Sequence, residues 1–259
     1  MTGNREGWID RVTRRRGDAR WTALAADPGD LGSSRLRRLR SEAVSLRQVL
    51  DRFLANTTVA ALRPAPVNAD HLPGATDWHW RSDLFQQPMH PSSLVSPASG
   101  TRLAEGATIW HDDPQAALIL RQSRSRADDL PPFGLSIEAL GCEGQFVSLS
   151  IDLPAAVLTG LGPDFVVRAD MRIWAERPLT AYARLNIENG PNTDSMQQGF
   201  QPAAQGAADL AVAEFDLAYS ELNEKRLSKM WVDVIFERPR MNAVELRDIV
   251  ISRHPRADV

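Results

Sequence analysis

Two stretches of this sequence set ring-bearing and hydrogen-bonding side chains at every second residue. Over 180–188 they are Tyr182, Arg184, Asn186 and Glu188, and over 230–237 they begin with Trp231 and Asp233. A third stretch, 165–176, carries Arg168, Asp170, Arg172, Trp174 and Glu176 in the same alternation. A period of two puts each set on one face of a β-strand. The residues between them (Ala183, Leu185 and Ile187; Val232, Val234 and Phe236; Ala169, Met171 and Ile173) mark the other face as core. An aromatic ring stacks on the apolar face of a pyranose, and Arg, Asn, Asp and Glu fix the hydroxyls. The candidate ligand-binding residues are therefore Trp174, Tyr182, Arg184, Asn186, Glu188, Trp231 and Asp233. An ordinary solvated sheet face with cross-strand ion pairs has the same pattern, and both readings stay open.

Other chemical motifs are weaker. His111-Asp112-Asp113 imitates a metal-ligand cluster, but Pro114 follows and a second zinc-spaced His is missing, so a strand-ending turn is expected. Asp128-Asp129 are neighbours in sequence, which rarely converge on one bond, and read as a charged loop. Residues 186–194, Asn-Ile-Glu-Asn-Gly-Pro-Asn-Thr-Asp, are rich in the hard oxygen ligands calcium prefers. Their spacing is not that of an EF-hand, and Asn189-Gly190-Pro191-Asn192 signals a turn. No cofactor is expected, calcium being the one ion this composition would admit. Cys142 is the only cysteine, which excludes a disulfide framework. Glu143 beside it argues against an activated thiolate. The nucleophile elbow, the phosphate-binding loop and the H-E-x-x-H zinc motif are missing, and no catalytic residue is assigned.

The elements that must position these residues come in three parts. Residues 1–63 read as a basic helical appendage, a hairpin of helices over 6–26 and 34–55. The second helix carries Leu36, Leu39, Ala43, Leu46, Leu50 and Phe53 at spacings of 3, 4, 3, 4 and 3, a short heptad seam. Leu36, Leu39, Leu46, Leu50 and Phe53 are candidate oligomerisation residues; a hairpin with the first helix, or docking on the main domain, would use the same face. Residues 64–100 form a Pro-rich strap with little regular structure expected, pinned by Trp78, Trp80 and Phe85. Residues 101–259 hold nine candidate strands, among them 107–111, 145–153, 165–176, 180–188, 230–237 and 245–252. Residues 219–229 are expected to add one helical turn. The fold class expected is mainly β, an antiparallel, jelly-roll-like β-sandwich preceded by the helical hairpin.

Charge divides the chain in the same place. Residues 1–63 hold 13 Arg against 7 Asp or Glu, a net of +6, while residues 64–259 carry the remaining 17 basic and 26 acidic residues, a net of −9. The basic part could meet an acidic partner, an anionic membrane surface or the acidic body of its own chain. The acidic total and the lack of a recognised nucleic-acid module argue against nucleic acid. No apolar run reaches the roughly 18 residues of a spanning helix, and no secretory signal is visible, so a cytoplasmic protein is expected.

The phrases LRQSRSRADDLPPFGL (120–135), GQFVSLSIDLP (144–154), ARLNIENGPNT (183–193) and the run 215–257 resemble an alphaproteobacterial family of unknown function. The resemblance covers most of the chain and implies a bacterial protein with no assigned activity or site residues. The residues themselves favour a non-enzymatic binding protein with a carbohydrate-binding-like sandwich, whose partner is a glycan or another protein. Two alternatives stand beside it: a scaffold that oligomerises through the 34–55 helix, and a glycan-active enzyme working through Asp or Glu.

Overall fold

The computed structural model describes residues 8–26, 32–61, 67, 71–125, 130–203, 210–220 and 223–256. Asp128 and Asp129 lie outside the described residues. The chain divides into two compact units, Met1–Thr57 and Thr58–Val259.

The first unit is built on α1 (Trp8–Ala26) and α2 (Ser33–Ala61), the second helix being longer than its apolar seam predicts. Arg20 donates through Nη1 and Nη2 to the Glu42 carboxylate at 3.3 Å each. Trp21, Leu24 and Ala25 of α1 and Leu36, Leu39 and Ala43 of α2 line one apolar groove. Leu39 is the buried member of the seam, while Leu36, Leu46, Leu50 and Phe53 are exposed. No helix among the described residues is long and apolar enough to cross a membrane.

The second unit is an antiparallel β-sandwich. Its strands are β1 (Trp78–Arg81), β2 (Ser93–Val95), β3 (Thr101–Ala104), β4 (Ala107–His111), β5 (Ile119–Arg124), β6 (Phe133–Ala139) and β7 (Phe146–Asp152). They continue as β8 (Phe165–Ala175), β9 (Ala181–Asn189), β10 (Asn192–Phe200), β11 (Leu210–Asp216), β12 (Leu227–Glu237) and β13 (Asn242–Pro255). Sheet I has the order β11-β8-β13-β6-β5-β2, with β1 also paired to β13; sheet II has the order β10-β9-β12-β7-β4-β3. From β2 onward the chain passes repeatedly from one sheet to the other, the jelly-roll-like connectivity expected of such a sandwich.

Alternation makes the core. Val147, Leu149 and Ile151 of β7, Ala183, Leu185 and Ile187 of β9, and Val232, Val234 and Phe236 of β12 are buried from sheet II. Val167, Ala169, Met171 and Ile173 of β8 meet them from sheet I. Burial of such side chains contributes roughly 1.5–3 kcal/mol each, so this face cannot turn outward.

The strap region carries more regular structure than its prolines predict. It supplies β1, β2 and the short helix α3 (Asp83–Gln86), so the sandwich takes in residues well before 101. Ser82 caps α3 by accepting from the Leu84 amide, and Leu84 and Phe85 are wholly buried in the core. Among the described residues, Pro73 precedes β1, Pro88 and Pro91 lie between α3 and β2, and Pro97 follows β2, where no ladder hydrogen bond is lost. Residues 217–219 and 224–226 form two 3₁₀ turns in place of the single helical turn expected over 219–229. Asn189-Gly190-Pro191-Asn192 is a hairpin turn, with Gly190 at φ 61°, and it leads into a strand, β10, that lies outside the nine candidate strands.

Candidate functional site

The outward face of sheet II gathers most of the candidate residues into a trough of about 540 Å³. Strand register lays its lining in rows. One row runs Tyr182 (β9), Ile235 (β12), Ser148 (β7), Trp110 (β4). The next runs Arg184, Asp233, Ser150, Thr108, and a third runs Asn186, Trp231, Asp152. Neighbouring strands lie about 4.8 Å apart, so Tyr182 and Trp110 stand roughly 14 Å from each other across three spacings. Ile235 and Ser148 stand between them, and Ser150 and Thr108 of the next row add further small hydroxyl side chains to the lining. Phe146 and Lys229 complete the lining on β7 and β12.

The polar part of the trough is fixed in place. Asp233, 5% exposed, accepts at Oδ2 from Arg184 Nη2 (2.9 Å), Arg184 Nε (3.2 Å) and Asn186 Nδ2 (2.9 Å). Asn186 Nδ2 also donates to the Arg184 carbonyl at 3.3 Å. Lys229 Nζ meets Asp152 Oδ1 at 2.8 Å and stands 5.4 Å from the centre of the Trp231 ring. That ring is thus flanked by a cation, a contact worth about 0.5–1 kcal/mol at an exposed site. Charge-assisted bonds of this kind set side-chain direction before any ligand arrives.

Of the sequence candidates, Tyr182, Arg184, Trp231 and Asp233 line the trough, and Asn186, level with Trp231, donates to Asp233. Glu188 continues the same face but lies past the lining, level with Lys229 and Thr193. Trp174 is parted from them: β8 belongs to sheet I, where Trp174 faces Glu245 of β13 and bridges to Ala203. Thr108, Trp110, Phe146, Ser148, Ser150, Asp152, Lys229 and Ile235 are the lining residues that were not singled out. The signal for Trp110 was present, since Thr108 and Trp110 alternate with buried Ala107, Ile109 and His111.

The other motifs are structural. Asp113 Oδ2 accepts from the Ala117 amide at 2.6 Å and Oδ1 from the Glu143 amide at 3.1 Å, while Asp112 Oδ1 accepts from the Phe146 amide. The Ala117 amide foremost holds the Asp113 carboxyl below its ordinary value, against the opposing effect of burial. His111 Nε2 lies 2.9 Å from the Pro97 carbonyl oxygen. Burial pushes the Cys142 thiol up. The oxygen-rich run 186–194 is spread along β9 and β10: Asn186 turns to Asp233, whereas Asp194 pairs with Ile187. Among the described residues no three His, Cys, Asp or Glu side chains converge on a point that could hold a metal.

Several solved structures are weakly similar to the chain. The enzymatically active domain of a bacteriophage CBA120 tailspike protein is 6% identical with a TM-score of 0.40, covering 56% of this chain and 19% of its own. A CBM22-1 xylan-binding domain from Paenibacillus barcinonensis is 12% identical (TM-score 0.38; 64% and 94% covered). A putative sugar binding protein from Bacteroides thetaiotaomicron is 13% identical (TM-score 0.40; 61% and 90% covered). No curated protein matches the chain. A family model does, over residues 1–259: the chain belongs to the family of unknown function DUF6478.

Proposed function

We propose that the protein is a non-enzymatic carbohydrate binder whose ligand lies in the trough on sheet II. The observation that supports this best is the register: rings at Tyr182 and Trp110 bracket Ile235 and Ser148 in one row, and Arg184 and Asp233 lie with the Ser150 and Thr108 hydroxyls in the next, locked together with Asn186. Rings supply stacking surface, and the fixed donors and acceptors select hydroxyl orientation. Aromatic anchors in such sites commonly carry about 2 kcal/mol or more each, or roughly 30-fold in affinity. The test is calorimetric titration of the full chain against soluble polysaccharides, beside Tyr182→Ala and Trp231→Ala. Saturable binding lost in both variants supports the reading; equal binding by both variants removes the trough from it. Reducing ends released during the titration would favour the glycan-active alternative, which needs two convergent carboxylates.

A second reading, assembly, is favoured by the seam of α2. Leu46, Leu50 and Phe53 are 42%, 50% and 62% exposed, and Val49 and Leu54 lie alongside. The occupant proposed is a second copy of α2 in parallel. In that arrangement Leu36, Ala43 and Leu50 fall at a and Leu39, Leu46 and Phe53 at d, a seam that matches itself across two copies. Sedimentation of the wild type and of a Leu46→Glu, Leu50→Glu variant tests it. A dimer that becomes a monomer is expected, and a wild-type monomer at all concentrations removes the reading.

A further inference from the structure

We infer that the trough takes an uncharged polysaccharide and grips it along an internal stretch, an inference that rests on the carbohydrate reading of the trough. The first ground is charge. The lining holds two cations, Arg184 and Lys229, and two carboxylates, Asp233 and Asp152. Each cation is spent on a carboxylate within the trough, Arg184 on Asp233 at 2.9 Å and Lys229 on Asp152 at 2.8 Å. A uronate or sulfate entering here would have to take a cation from its partner and leave a carboxylate, Asp233 nearly buried, without one. Neutral hydroxyls have no such cost, since the paired groups retain outward donor and acceptor capacity. At the rims Arg102 is level with Thr108, Glu188 with Lys229 and Glu237 with Phe146, so these three add no net positive charge.

The second ground is the ends. Beyond Tyr182 the row continues to Gly199 on the edge strand β10. Among the described residues, a Cβ at Gly199 would meet no heavy atom within 4 Å, so the space beside Gly199, past Tyr182, is open. Ser195 and Gln197, the next β10 residues on that face, are exposed and uncharged. At the opposite end the Trp110 ring lies over Gly100, 3.2 Å from where a Cβ would stand, and is 46% exposed. A site for a chain terminus needs a wall at one end. This trough has a ring near each end, with Gly199 lying beyond one of them.

The experiment uses the full chain and named probes: mixed-linkage glucan, xylan and galactan against polygalacturonate and dextran sulfate, each at low and high salt. An oligosaccharide ladder is then cut from the best-bound polymer, and a Gly199→Trp variant is titrated in parallel. Binding of a neutral polymer is expected, with less than about a twofold change across salt, and with affinity rising along the ladder. Gly199→Trp is expected to weaken the longest oligosaccharide about tenfold while sparing the shortest one that binds. Preference for an acidic polymer, affinity as high for a single sugar as for the polymer, or polymer binding untouched by Gly199→Trp would each overturn this inference and leave the carbohydrate reading standing. A folded protein that binds none of the five polymers overturns both.

Discussion

Asp113 is a single side chain that ties two loops together. Its carboxylate takes the amides of Ala117 and Glu143, and the first of these chiefly holds its pKa below the ordinary 3.8. A depressed folded pKa means that the stabilisation is fully present above 3.8 and fades as pH falls through the folded value. Asp113→Asn should therefore cost about 1–2 kcal/mol at neutral pH and progressively less in acid, as read by urea unfolding at a series of pH values. At this scale much was legible. Alternation assigned Tyr182, Arg184, Trp231 and Asp233 to an outward face because the period of two is a local property of each strand. Trp110 stood outside the candidates because β4 is five residues long and offers only two outward positions, Thr108 and Trp110, too few for a polar face to stand out.

Among the elements, β1 and β13 show how the strap is fastened. A β-bulge between Leu246 and Asp248 shifts the register of β13. Asp248 is then held by Arg81 of β1 in two bonds of 2.8 Å, both side chains being almost fully buried. Burial outweighs the guanidinium and raises the Asp248 carboxyl above its ordinary value. A raised folded pKa contributes stability below 3.8 that is lost as pH climbs through the folded value. Arg81→Met should thus cost about 3–5 kcal/mol at neutral pH and less in acid, and pairing it with Asp248→Leu should restore part of the loss. Equal stability of the single and double variants at every pH would contradict this. Neither the bulge nor this long-range pair could be read from spacing. β10 escaped notice for a related reason: Asn-Thr-Asp-Ser-Met-Gln-Gln-Gly-Phe is an edge strand with little buried surface, so it lacks the apolar alternation of a central strand.

For the whole molecule, strand order is what separates the candidate residues. Trp174 shares its alternation with Tyr182 and Trp231, yet β8 pairs in sheet I while β9 and β12 pair in sheet II. Pairing between strands distant in sequence leaves no local mark, so one polar face per strand was legible and the grouping of faces was not. The division at Thr57 and Thr58 carries its own expectation: residues 58–259 alone should unfold cooperatively, with a Tm close to that of the full chain. The central claim is that recognition belongs to the outward face of sheet II. The measurement that tests it most directly is calorimetric titration of the full chain with the best-bound polysaccharide, comparing Trp231→Ala with Trp174→Ala. The account predicts a loss of roughly 30-fold or more for Trp231→Ala and wild-type affinity for Trp174→Ala. Unchanged binding by Trp231→Ala together with loss in Trp174→Ala would contradict it and move the site to sheet I.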